Sequence, residues 1–405
     1  MTDKNRITFN SDAFIGGLRH MVVNGRADLL STINSGVNLM FWEIGTLIGN
    51  KSRSDERHII EELSNSLAPV FGDYFSNENL SLMRIFAEKC SVATIGKTST
   101  DINWGYIPQF ISLKDDSAWM FYFKLMHIHS LTPVELKNEI AANAIENKTI
   151  DDEKNISRYD LAEFHHHTSE LYFGKKDSAN FRKLFEPRDI HDPVLTSFLS
   201  KHSNNELVMP IYRLIFEFQS ETHYVINFQF NSLLWEIGGE LINLSKSLNV
   251  PMLDILNKSI QEYEKEFPSL FNIDVLSHCV KFAEQYKTDN QFEITELVSW
   301  PYIKILLEVN DIEKQSFIAK EVLNKGIGIQ KLKSLIADSF FDIKKEYNVS
   351  NMVRSRNSTT TETKDDDTVT SITEELMEPI IHPIHDINRN IYKTQELLTF
   401  LTNFE

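Results

Sequence analysis

The sequence predicts a mainly α-helical protein: two repeated helical units followed by a C-terminal amphipathic helix. Three observations lead there. Glycine (14) and proline (11) are sparse in 405 residues, which favours long helices over a turn-rich β architecture. The tetrapeptide WEIG occurs twice, at Trp42–Gly45 and Trp235–Gly238, in a chain with only five tryptophans. Apolar residues also recur at helical spacing, as in Met40, Phe41, Ile44, Leu47 and Ile48.

The repeat extends beyond the tetrapeptide. Sliding the chain along itself until the two WEIG copies superpose brings Asn38 onto Asn231. A slightly larger shift gives an ungapped correspondence from Phe75 to Ile140. Within it Phe86-Ala87-Glu88 falls on Phe282-Ala283-Glu284, Trp104 on Trp300, Tyr106 on Tyr302, and Leu136-Lys137 on Leu332-Lys333. Four of the five tryptophans thereby occupy paired positions. The change of register asks for three extra residues after the second WEIG helix, expected as a loop insertion. The organisation predicted is a first unit at 16–140, a helical connector at 141–211, a second, divergent unit at 212–340, a flexible linker at 354–375 and a coiled-coil-like helix at 376–405.

Each element has a local cause. In the WEIG helix the apolar stripe faces a core. Trp42, Gly45 and Gly49 form a neighbouring stripe where missing side chains let another helix approach, and Glu43, Thr46 and Asn50 make the polar side. Glu43 and Glu236 are carboxylates at equivalent positions. No second carboxylate or histidine is recognised beside them at matching positions in both copies of the WEIG helix, so a solvated polar face is expected rather than a catalytic pair. The next helix opens at FSNENL. Ser76 is the N-cap, Phe75 and Leu80 are placed to form a hydrophobic staple, and Glu78 lies in the first turn. Phe271, Asn272, Asp274 and Leu276 repeat the device. Thr132-Pro133 caps another short helix with proline at its first position. A small β-wing fits around residues 91–103 of the first unit.

Outside the repeat, the segment from Asn357 to Ser371 has almost no apolar content and reads as linker. Beyond it Ile380, Ile384, Ile387, Ile391, Thr394, Leu398 and Leu401 alternate steps of four and three, a heptad seam with one polar position. Ile384, Ile387, Ile391, Leu398 and Leu401 are the candidate oligomerisation residues. So short a helix is marginal alone, so it self-associates, docks on a partner protein, or folds back on its own body.

The chemistry the sequence excludes is broad. There is no Gly-rich phosphate loop, no HExxH and no recognisable nucleophile–base set. His165-His166-His167 are adjacent, and adjacent side chains on a helix diverge, so no metal site is assigned there. No cofactor, metal or catalytic residue is expected. Cys90 and Cys279 lack CxxC spacing and suit a reducing cytoplasm. Neither a signal peptide nor a membrane span is expected. The formal charge of −17 repels phosphate backbones at long range, so nucleic-acid binding needs a local basic face.

The order FWEIGTLI … IIEELSNSLAPVFGDYFSNENLSLMRIFAEK … INWGYIPQFI … FYFKLM … LTPVELKNEI resembles the YhcG-type N-terminal domain, a bacterial domain of unknown function usually found ahead of a PD-(D/E)XK nuclease. Arg188–Leu199 is similar to the segment that joins this domain to the nuclease. Here a second helical unit follows instead. The two candidate acidic-x-Lys triplets, Glu135-Leu136-Lys137 and Asp342-Ile343-Lys344, lie in helical patterns rather than on the buried strand edge that two-metal cleavage requires. The resemblance implies that each unit is a helical, winged-helix-like DNA-binding or assembly module, in settings of mobile elements or defence. Under it the capped helix after Ser76 is the candidate reader of double-stranded DNA, with Ser76, Asn77, Asn79, Arg84 and Lys89 as contacts. The function expected is a non-enzymatic DNA-associated accessory or assembly protein. The alternatives are a pure protein-interaction scaffold and, third, a divergent nuclease.

Overall fold

The computed structural model describes residues 11–50, 55–90, 102–113, 116–147, 161–162, 164, 183–185, 192–286, 294 and 298–337. Among these residues there are fourteen α-helices and no strand. The helices are α1 (Ser11–Gly49), α2 (Glu56–Phe71), α3 (Asn77–Lys89), α4 (Ile107–Phe110), α5 (Asp116–His129), α6 (Pro133–Ala141), α7 (Ala144–Asn147), α8 (Pro193–His202), α9 (Val208–Leu248), α10 (Met252–Tyr263), α11 (Ile273–Gln285), α12 (Trp300–Leu306), α13 (Ile312–Lys325) and α14 (Ile329–Ala337). A 3-10 turn, Trp104–Tyr106, leads directly into α4. The expected wing falls mostly on residues 91–101. Those, the three adjacent histidines, Asp342–Lys344, the linker and the whole heptad seam lie outside the described residues.

The duplication is visible element by element. Helices α3, α5 and α6 recur as α11, α13 and α14, and one and the same shift along the chain carries both ends of each helix onto those of its counterpart. The stretch Trp104–Phe110 recurs in that register as α12. Capping recurs too. Ser76 accepts from the Asn79 amide and Asn272 from the Val275 amide, which satisfies the same orphan donor with a different side chain. Phe75 and Leu80 are fully buried, as are Phe271 and Leu276. Thr132 and Glu135 form a complete capping box at α6. The helix preceding α6 ends in a left-handed residue, Ser130 (φ 48°), and the one preceding α14 ends in Gly326 (φ 62°), the equivalent position.

The three extra residues are not a loop insertion. Helix α9 runs to Leu248, well past the equivalent of Gly49, and closes on left-handed Asn249. The chain then enters α10 at Met252. The register change is absorbed by extending the helix.

The described residues divide into two compact units, the first running up to residue 284 and the second beginning at residue 285. In the first unit α1 and α9 lie antiparallel. Gly25 faces Leu233, Gly36 faces Phe218 and Thr222, and Thr32 donates to Gln229 at 3.1 Å. These are the first helices of the two copies, and the two helices pair about an approximate two-fold axis.

Each long helix also carries a third neighbour at its WEIG glycine. A Cβ added to Gly45 would stand 2.0 Å from the Met83 carbonyl oxygen on α3; one added to Gly238 would stand 2.0 Å from that of Cys279 on α11. Ala87 and Ala283 complete the notch on either side. The first copy's core gathers on Phe41, whose ring meets Trp104 edge-on at 4.7 Å and Phe75 at 6.2 Å. Burying an aromatic of this size contributes about 1.5–3 kcal/mol.

Longer-range bonds repeat as well. In the first unit Lys89 Nζ caps the Ile111 carbonyl at 2.8 Å and the Tyr106 hydroxyl donates to Leu131 O at 2.8 Å. In the second unit Gln285 Nε2 caps Leu307 O at 3.1 Å and the Tyr302 hydroxyl donates to Ile327 O at 3.0 Å. All four positions match their counterparts in the register that superposes α3 on α11.

Candidate functional site

The five residues offered as DNA contacts lie on or next to α3, and most of their polar groups serve the fold. Ser76 Oγ is the helix cap. Asn79 Nδ2 donates to the Asp73 carbonyl at 3.0 Å, and its Oδ1 accepts from Trp104 Nε1 at 3.4 Å. Lys89 is spent on the Ile111 carbonyl. Arg84 lies between two carboxylates, with Nε 2.6 Å from Glu56 and Nη1 2.8 Å from Glu88. Asn77 is exposed, and its carbonyl accepts from Ser81. A guanidinium held by two glutamates presents little net positive potential to a phosphate.

Glu135, the acidic member of one suspected nuclease triplet, accepts from the Thr132 amide and hydroxyl, which lower its pKa. Leu136 beside it is buried. The triplet is a helix start. No group of three or more His, Cys, Asp or Glu side chains able to hold a metal occurs among the described residues.

A different surface stands out between α1 and α9. An open trough of about 880 Å³ runs along the pair, lined from α1 by residues from Met21 to Gly36 and from α9 by residues from Glu221 to Glu236. It straddles the approximate two-fold axis. Asp28 and Glu221, Thr32 and Val225, Ser35 and Phe228, and Gly36 and Gln229 are equivalent pairs in the register of the two WEIG copies, and all eight line it. This corrects the sequence reading on one point: Asp28 and Glu221 are carboxylates at matching positions, close to the Glu43/Glu236 pair. Partial burial, then Asp28, raises the Glu236 pKa; partial burial, then Glu217 and Glu221, raises that of Glu43.

Sequence reasoning passed over these acids because their partners come from the other copy. Only the WEIG register carries that signal, and from Asn24 to Thr32 it pairs similar or unlike residues rather than identical ones. Arg26, just before Asp28 in the chain, is fully buried, and burial lowers its pKa to about 9 against the opposing pull of Glu266.

No helix among the described residues is long and apolar enough to cross a membrane. No curated protein and no solved structure matches the chain. The family model of the DUF1016 N-terminal domain matches it twice, over residues 17–147 and 210–343. Those two matches span most of the chain and coincide with the two sets of equivalent helices. The protein belongs to the DUF1016 N-terminal domain family, and it carries that domain in two tandem copies.

Proposed function

We propose that this chain is a non-enzymatic assembly protein that works through protein contacts, the duplicated domain acting as a covalently fused pseudo-dimer. The observation that carries this reading is the pairing of α1 with α9. Equivalent helices of the two copies clasp antiparallel through Gly25 and Gly36, as two subunits of a symmetric dimer would. Fusion fixes the pair's stoichiometry at one to one at any concentration.

The charge distribution supports protein rather than nucleic acid as the partner. The chain carries −17 overall, Arg84 is bound to Glu56 and Glu88, and the trough is lined by carboxylates without a lysine or arginine among the described residues. Binding of duplex DNA depends on released counterions and steepens as salt falls. A titration of the purified full chain with duplex DNA at low salt, with a Mg²⁺ cleavage control, tests the proposal. No binding and no cleavage are expected. Salt-dependent binding weakened by Arg84→Ala would restore the DNA-associated reading, and Mg²⁺-dependent cleavage would restore the nuclease.

A further inference from the structure

Helix α8 clasps the first copy, and the sequence after the second copy repeats its cap. Asp192 starts α8 by accepting from the Val194 amide at 2.8 Å. Phe198, buried on α8, meets Phe71 of α2 edge-on at 6.0 Å and Tyr212 of α9 at 5.8 Å. Past the end of α8, Asn205 donates to Glu62 of α2 at 2.8 Å. The first copy's α2 is thereby closed onto the second copy's first helix. Around the cap, Glu186-Pro187 and Ile190-His191-Asp192 recur as Glu378-Pro379 and Ile384-His385-Asp386, at nearly the shift that relates the two domains. The Ile-His-Asp triplet begins 49 residues after Ala141, the end of α6, and 47 residues after Ala337, the end of α14.

The receiving surface is duplicated too. Helix α10 starts where α2 starts in the register that superposes α3 on α11. Phe267, just past α10, stands 6.0 Å from Phe271, as Phe71 stands 5.9 Å from Phe75. Phe267 and Phe71 are both 2% exposed, so this face is closed in both copies. The counterpart of Tyr212 is Arg19 of α1, paired at 2.9 Å with Glu266, the neighbour of Phe267. A guanidinium packs on an aromatic ring as a second ring does.

We infer that residues 384–396 form a second clasp, seated on α10 and α1 through Tyr392 as α8 is seated on α2 and α9 through Phe198. The register of the triplet gives Tyr392 the place of Phe198 and Glu396 that of His202. Charge agrees with this placement. In the first copy burial, then Lys201, lowers the His202 pKa, and Glu62 opposes both. In the second copy Lys258 stands where Glu62 stands, so opposite charges meet again with their signs exchanged. Arg389 replaces Leu195, and its long stem covers apolar surface while its charge reaches water. Ile387, Ile391 and Thr394 of the heptad seam fall on Pro193, Ser197 and Ser200, all exposed on α8, so clasp and seam use different faces of one helix.

The test measures spin-label distances in the full chain. Labels on cysteines at Glu61 and Lys201, both exposed, report α8 on α2. Labels at their counterparts Asn257 and Gln395 report the second clasp. The two pairs should give narrow distributions with the same mean, unchanged when labelled chain is diluted into excess unlabelled chain. Tyr392→Ala should broaden the second distribution and Tyr392→Phe should keep it, with the first pair unmoved by either. A broad or longer distance for the second pair in the unsubstituted chain overturns the clasp. Loss of that distance on dilution places the segment on another copy of the chain and overturns it equally. A distance that survives Tyr392→Ala overturns the seating through Tyr392. Each of these results leaves the assembly reading standing.

Discussion

Gly238→Ala and Gly239→Ala make the same chemical change at adjacent helical positions, yet the structure assigns them opposite signs. At Gly239 nothing lies within 4 Å of an added Cβ. Alanine there gains the intrinsic helical advantage over glycine, about 0.5–1 kcal/mol. At Gly238 the Cβ would lie 2.0 Å from the carbonyl oxygen of Cys279 and 3.1 Å from the Ala283 methyl. The obstacle is backbone, which no rotamer change removes, so α9 and α11 must separate and lose their packing. Overpacking of that kind costs about 1–3 kcal/mol; with backbone struck, the upper end applies. After the propensity gain, a net loss of about 2 kcal/mol remains, which lowers Tm by roughly 4–8 °C in a domain of this size. Gly45→Ala should behave like Gly238→Ala, since its Cβ meets Met83 O at the same 2.0 Å, and Gly17→Ala like Gly239→Ala. Thermal and urea unfolding of the four single variants reads this directly. If Gly238→Ala matches Gly239→Ala, the helices do not approach through that glycine and the packing argument is wrong.

Three further outcomes follow from particular residues. Ser130 occupies the left-handed position that Gly326 fills in the second copy, so Ser130→Gly should stabilise by about 1 kcal/mol, seen as a rise in urea midpoint. Asn38 is fully buried and its Nδ2 donates to Ile102 O at 2.7 Å; Asn38→Ala strands that carbonyl and should cost about 1–3 kcal/mol by the same assay. His223 is buried against Phe185, and burial lowers its pKa from 6.5 to about 4. Between these values the unfolded chain binds the proton and the folded one does not. Its contribution is therefore intact above pH 6.5 and lost as pH falls toward 4, by up to roughly 3 kcal/mol. His223→Phe should flatten that part of the stability–pH curve; an unchanged slope would mean that His223 titrates normally.

What could be read from the sequence was local. The caps at Ser76, Asn272 and Thr132 and the staple at Phe75 and Leu80 depend on near neighbours in the chain, and their side-chain types announce them. The glycine notch was legible because both copies keep it beside the same tryptophan. The rest depends on contacts that no short window contains. Arg84 is neutralised in part by Glu56, which stands at the start of the preceding helix. Lys89 caps a carbonyl beyond the end of α4, a role that glutamine performs equally well at position 285. A lysine on a helix face looks the same in sequence whether it waits for phosphate or closes a neighbouring helix. The trough was hidden for a further reason: its walls come from different copies, so it exists only once α1 and α9 are paired.

The central claim is that one helical unit is built twice, and pulsed electron–electron distance measurement tests it most directly. Spin labels on cysteines introduced at Leu39 and Glu78 report the placement of α3 on α1. Labels at the equivalent Ser232 and Asp274 report that of α11 on α9. The native Cys90 and Cys279 are buried and can remain. The two label pairs should give the same mean distance; means that differ by more than the width of either distribution would contradict the duplication.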